Sequence, residues 1–334
     1  MDASKQSAAA WLAVSLLVVA WGAITVPASA QGAPPAATTE AAYTAPRTSF
    51  GHPSLEGTWT HNFVILLEAT GKDPIPLVLP EQAAQAMAAQ VANGIAQGFD
   101  RQLDPEVPEL MRAADGLPIV RGERRSRALI APADGRLHYT PEARREAGRY
   151  GNAPYDNPEQ RPNWERCVTS LGLPPVTGVG TTSANPRMIL QTADHVVIYT
   201  EYGGEARIIP FTDTHQPKPV RNLLGDSIAR WDGDTLVVET IDPPEGDRIR
   251  AFANLVVPSD SKIIERFTRV AADELLYQYT VENPAIYTAP WQAEYSLYLT
   301  DQPMLEHACH EGNHSLPNIL MGARRAEQQR GAKP

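Results

Sequence analysis

From Arg187 to Thr300 short runs rich in Val, Ile, Tyr and Thr recur between turn residues, and most are half apolar on both faces. Alternation at every second position marks a strand with one face turned inward. The runs are RMILQ (187–191), HVVIYTEY (195–202), EARIIPF (205–211), DSIARW (226–231), DTLVVETI (234–241), SKIIERFTRV (261–270), ELLYQYTVE (274–282) and PWQAEYSLYLT (290–300). They predict seven or eight strands, spaced for hairpins. Asp232-Gly233 is the sharpest turn, because both residues tolerate the positive φ of a two-residue I′ loop. No helical run separates these strands, which excludes a parallel α/β sheet. The expectation is a mainly β fold, an antiparallel meander closed as a lipocalin-like barrel. An upstream strand over 57–68, entered through Gly57-Thr58-Trp59, is placed to complete the closure.

Helical periodicity appears outside this region. Over Pro80–Gly98, Ala83, Met87, Val91 and Ile95 recur four apart. Pro80 and Glu81 suit a first turn, and Gly98 suits an end. RALIAPADGRLHYTPEARREA (127–147) predicts two short strands around Asp134-Gly135 and a short helix after Pro141. Together these form a helical insertion at about 80–150 within a single β-barrel domain over 51–330. A C-terminal helix is predicted over 315–329, capped by Ser315, with Leu316, Ile319, Leu320 and Ala323 as its apolar stripe.

The start of the chain has a different character. Lys5 precedes an apolar run from Ala8 to Val26, and Ala28-Ser29-Ala30 follows Pro27. A basic start, an apolar middle and small residues before the cut describe a signal peptide over 1–30, cleaved after Ala30. The run approaches spanning length, so an uncleaved anchor is the alternative. Residues 31–50, rich in Ala, Pro and Thr, read as a flexible leader. The implied location is secreted or periplasmic. A net charge of −10 disfavours nucleic acid and anionic lipid as partners. The only two cysteines, Cys167 and Cys309, default to a disulfide in an oxidising compartment; two buried thiols are the alternative.

The motifs APADGRLHYTPEA, ERC, GLPP, GDSIARWDGDTLVVET, IIERFTRV, APW and ACHEGN occur in this order. As a set, spanning about residues 50–325, the chain resembles a group of exported bacterial proteins. His138 departs from that pattern, standing where proline is expected. The resemblance implies export and one shared fold, and it assigns no activity and no functional residue.

Candidate chemistry comes from two places. Charged residues sit within apolar strands: Asp226 and Arg230 four apart on one face, and Glu239, Glu265 and Arg266. A desolvated carboxylate can act as acid or base, and an arginine can orient a substrate. The other place is EHACHEGNH (306–314), which holds three of the eight histidines. A disulfide at Cys309 would hold His310 and Glu311 beside Arg166 as a proton-transfer pair. His307, His310 and His314 form an alternative metal set if the segment is helical, but Gly312-Asn313 is a helix-ending pair. Tyr199, Tyr202, Trp231, Tyr277, Tyr279 and Trp291 are placed to line a ligand cavity. Leu275, Tyr277, Tyr279 and Val281 share one strand face.

The sequence has no G-x-S-x-G elbow, phosphate loop or dinucleotide fingerprint. The expected function is therefore acid-base catalysis without a cofactor by Asp226, Arg230, Glu265, His310 and Glu311, on a small apolar or aromatic molecule. An isomerase, lyase or hydrolase would fit. The alternatives are a non-catalytic envelope carrier of a small hydrophobic ligand, or a metal-binding protein.

Overall fold

The computed structural model describes residues 43–61, 66–69, 75–98, 116–147, 157–161, 163, 166–169, 172–176, 186–217, 222–243, 249–250 and 255–331. The proposed signal peptide lies outside these residues, as do 62–65 of the proposed first strand. The strands are β1 (Gly57–Thr60), β2 (Ile119–Val120), β3 (Glu123–Arg124), β4 (Leu129–Ala131), β5 (Arg187–Gln191), β6 (His195–Thr200) and β7 (Glu205–Pro210). They continue with β8 (Asp226–Asp232), β9 (Thr235–Ile241), β10 (Ile249–Arg250), β11 (Leu255–Val256), β12 (Lys262–Arg269), β13 (Glu274–Glu282) and β14 (Trp291–Thr300). The helices are α1 (Glu81–Gly98), α2 (Pro141–Ala147), α3 (Cys309–Gly312) and α4 (Ser315–Gly331).

One ten-stranded sheet runs in the order β7-β6-β5-β1-β14-β13-β12-β9-β8, with β4 added against β14. Its pairings are antiparallel, as the hairpin spacing requires. The expected lipocalin-like barrel is not formed, because the sheet is open. Its end strands β7 and β8 share no ladder, only an isolated parallel bridge between Phe211 and Ala229 and a side-chain bond from Arg207 to Ser227. Pro210 ends β7 at this edge and has no N–H to extend a ladder. β1 does not close a seam. It lies mid-sheet, with Trp59 opposite Leu299 on β14 and Arg187 on β5. It thereby joins the early meander to the late one.

Strands of both halves of this open sheet contribute to one core. Across the late half the inner positions form rows of directly opposed residues. One row is Trp231, Leu236, Phe267, Tyr277 and Tyr295; the next is Ala229, Val238, Glu265, Tyr279 and Ala293. From the early half come Trp59, Ile189, Val196, Ile198 and Ile209, all 2 % exposed or less. The predicted face Leu275, Tyr277, Tyr279 and Val281 is buried throughout.

Local details correct the sequence reading. The β8–β9 loop is Gly233-Asp234, since Asp232 pairs with Thr235. Gly233 alone has positive φ (60°), so this is the II′ pattern and not I′. Of the two strands expected around Asp134-Gly135, only β4 forms; the other is reduced to one bridge between Tyr139 and Tyr287. On α1 the buried face runs through Ala84, while Ala83 is exposed, and Leu79 and Leu117 complete that small cluster. The side chains of Val91 and Ile95 lie outside the described set.

The insertion packs on the outer face of β13 and β14. Arg125 bonds Glu294 (3.2 Å), the Arg121 N–H donates to Glu274 Oε1 (2.9 Å), and Tyr298 donates to the Ile119 carbonyl (3.0 Å). Both Arg125 and Glu294 are buried, so each supplies the charge that the other needs.

Candidate functional site

The inner face is the place to look first, because it gathers polar groups that apolar strands do not ordinarily bury. Glu265 on β12 is 0 % exposed. Arg207 reaches it from β7 with two parallel bonds, Nη1 to Oε1 at 3.1 Å and Nη2 to Oε2 at 2.5 Å. Nη2 also meets Ser227 Oγ and Thr240 Oγ1, each at 3.3 Å. The Tyr277 hydroxyl donates to Glu265 Oε1 at 2.7 Å. Burial pushes the Tyr277 phenol well above its ordinary range, and the Glu265 charge adds to the effect. Both oxygens of the Glu265 carboxyl group are thus engaged, by three donors in all.

The same hollow is filled by the chain itself. Gly172 to Val176 (GLPPV) is buried against the inner face. The Val176 N–H donates to Tyr277 Oη (2.9 Å), and Tyr295 Oη donates to the Val176 carbonyl (2.8 Å). The Gly172 N–H donates to Glu205 Oε2 (2.8 Å). Tyr277, expected from the sequence to line a ligand cavity, and Tyr295 thus hold both backbone polar groups of Val176. Burial raises the Tyr295 phenol to about 12, against the lowering influence of the Arg187 charge.

The disulfide Cys167–Cys309 is formed, with Cα atoms 5.8 Å apart. It ties the segment preceding GLPPV to the C-terminal arm. That arm also docks where the Leu305 N–H donates to Glu201 Oε2 (2.6 Å) and His307 packs on Tyr202, ring centroids 4.0 Å apart. Burial raises the Tyr202 phenol.

The candidate acid-base residues do not share one place. Glu265 lies in the core, whereas His310 and Glu311 are exposed on the four-residue helix α3. Asp226 and Arg230 share the outer face of β8, but Arg230 is exposed and Asp226 has another partner. His215 Nδ1 sits 3.0 Å from Asp226 Oδ2, and its Nε2 sits 3.4 Å from Glu239 Oε1. Lys262 then bonds Glu239 Oε2 at 2.9 Å. Burial raises the Glu239 carboxyl, yet Lys262 and His215 outweigh it and hold it below the usual range.

The three histidines of the alternative metal set are split by the helix break: His307 precedes α3 and His314 follows Asn313. Among the described residues no group of three or more His, Cys, Asp or Glu is arranged to hold a metal ion.

The six aromatic candidates also separate. Tyr277, Tyr279 and Trp291 are core, at 1 % exposure each. They belong to a ladder of ring contacts running from Tyr139 through Tyr287, Trp291, Tyr279, Tyr277 and Tyr295 to His61. Tyr199 is half-buried on the opposite face of β6. Trp231 is different. It is half-buried at the β7–β8 seam, stacked on His52 (5.0 Å, 7°) and beside Phe211 (6.3 Å). Its indole Nε1 is shut from solvent without a hydrogen-bond partner.

Sequence reasoning missed Arg207, His215, His52 and Arg187. Arg187 and Arg207 left a signal: each is an arginine at an inner position of a strand whose neighbours at i+2 are Ile. His52 and His215 left none, since both lie in irregular segments. Comparison with protein families, curated proteins and solved structures finds no match for this chain.

Proposed function

We propose that this is an exported protein that binds a small aromatic or apolar molecule at the seam between β7 and β8. The observation that supports this reading is Trp231, whose buried indole N–H has no partner while its ring is stacked in a half-buried aromatic cluster. A buried donor without an acceptor costs stability, and an aromatic ligand carrying one acceptor would relieve it. The seam suits entry, because the edge strands there share a single bridge and no continuous ladder. The disulfide is compatible with export, and among the described residues no helix is long and apolar enough to cross a membrane.

Titration with p-cresol, followed by tryptophan fluorescence and calorimetry, tests the reading. Saturable binding is expected, weakened about tenfold or more by W231A and a few-fold by W231F, which keeps the ring and removes the donor. Binding that W231A leaves unchanged would sink the proposal.

An acid-base enzyme is the second reading, supported by the His215–Asp226 pair at 3.0 Å. A carboxylate on one ring nitrogen orients an imidazole for proton transfer at the other. Here H215Q would abolish turnover of any substrate found and leave p-cresol binding intact.

A further inference from the structure

Arg187 on β5 is 3 % exposed. It stands directly between Trp59 on β1 and Thr200 on β6. Its Nε and Nη1 are both shut from solvent and have no hydrogen-bond partner. No carboxylate of the described residues pairs with it. Glu265 is taken by Arg207. Glu205, two strands along the same row, is half-exposed and accepts from Gly172. Among the described residues, then, this guanidinium has no carboxylate to balance it and two buried N–H groups without an acceptor. The charge is felt nearby, since it pulls the Tyr295 phenol down against the effect of burial. The surroundings are aromatic: Trp59, 0 % exposed, and Tyr295, with the His61 ring edge-on to Tyr295 at 5.7 Å.

We propose that Arg187 anchors a buried site for a small monocarboxylic acid whose aromatic or apolar body lies against Trp59 and Tyr295. Among the described residues Arg187 is the one guanidinium with two buried donors unused, which matches one carboxylate; Arg269, over the Trp59 ring at 5.4 Å, already donates to the carbonyls of Ser54 and Ala272. The flat guanidinium matches the flat carboxylate and offers it donors that nothing else uses. This site stands apart from the Trp231 seam and goes beyond the function proposed there. Its residues are Arg187, Trp59, Thr200 and the ring of Tyr295; the Tyr295 hydroxyl is held by the Val176 carbonyl and Gly172 lies beside Thr200, so the ligand takes the space between GLPPV and β1.

The test uses the full, disulfide-bonded protein with benzoate, benzyl alcohol and inorganic phosphate in parallel calorimetric titrations. Benzoate is expected to bind with one equivalent and to raise the melting temperature. Benzyl alcohol and phosphate are expected to bind at least about tenfold more weakly. R187Q should weaken benzoate about tenfold or more, and R187K, which keeps the charge and loses the planar fork, should weaken it by less. The comparison of benzoate with benzyl alcohol needs no variant, so it stands even where R187Q does not fold. The proposal is overturned if benzoate binds no better than benzyl alcohol, if phosphate displaces it, if neither Arg187 variant changes its affinity, or if no benzoate binds. A W231A protein that loses p-cresol and keeps benzoate overturns the seam reading alone; an R187Q protein that keeps both ligands overturns this one alone.

Discussion

Arg207 and Glu265, on strands at opposite halves of the sheet, meet as a two-bond ion pair with side chains 2 % and 0 % exposed. The pair links β7 of the early meander to β12 of the late one. Taking two charges out of water is costly, and the attraction returns that cost only while both partners stay. Removing one partner, as in E265Q or R207M, is expected to cost about 3–5 kcal/mol by urea denaturation. The double variant R207M/E265L should recover a large part of the loss. A double variant no more stable than the singles would show that the pair contributes more than mutual neutralisation.

Reducing or removing Cys167–Cys309 acts on the unfolded chain. The bridge spans 142 residues, a loop whose closure entropy is about 5 kcal/mol. The folded arm carries no buried residue on α3 or α4, so it is free to fray once cut. The short tether from β14 then offsets part of that entropy, and the net loss falls to about 2–3 kcal/mol. Denaturation of C167S/C309S beside the oxidised protein measures it, and limited proteolysis should cut first in the arm.

Glu68 gives a pH signature. Burial raises its carboxyl, against the lowering by the Leu137 N–H that it accepts at 2.7 Å. A raised acid favours its protonated form in the fold. Its contribution is therefore fully present below the unfolded carboxyl range and is lost as pH rises through the folded value. E68Q keeps the acceptor and removes the charge. Its melting temperature should match wild type near pH 4 and exceed it at pH 8. Equal differences at both pH values would show that Glu68 ionises without penalty.

Gly135 has φ of +68°, and a methyl group there would collide with the Arg127 side chain. Arg127 cannot yield easily, because it bonds the carbonyls of Leu129 (3.1 Å) and Ile75 (2.6 Å). G135A is expected to cost about 1–3 kcal/mol. The mutation should also loosen the turn, seen as faster amide exchange at Ala69, whose N–H donates to the Gly135 carbonyl.

The strands from 187 to 300 were legible from their β-branched and aromatic runs between turn residues; β6 and β12 bury every second residue, while β9 and β14 bury consecutive ones. Closure was not legible. It turns on how two strands from distant parts of the meander meet, and the one local hint is Pro210 at the end of β7, which has no N–H to offer a further strand. The disulfide was legible from a count of two cysteines. The place of Glu265 in the interior was legible from its apolar neighbours, but its engagement by Arg207 was not, since the two are 58 residues apart. The aromatic candidates show the same limit. Alternation puts Tyr277 and Tyr279 on the inner face, yet only the tertiary structure shows GLPPV occupying the hollow they face.

The mid-sheet position of β1 bears on how the chain folds. Trp59 leaves the ribosome early, but its partners on one side are residues of β14, near the other end of the chain. Contacts so distant in sequence are slow to form, and their absence leaves strand edges bare. Until β14 exists, β5 has no neighbour to pass it on to the late meander. That edge of β1 therefore stays bare until nearly the whole sheet has been made, and it is the edge a chaperone would have to cover.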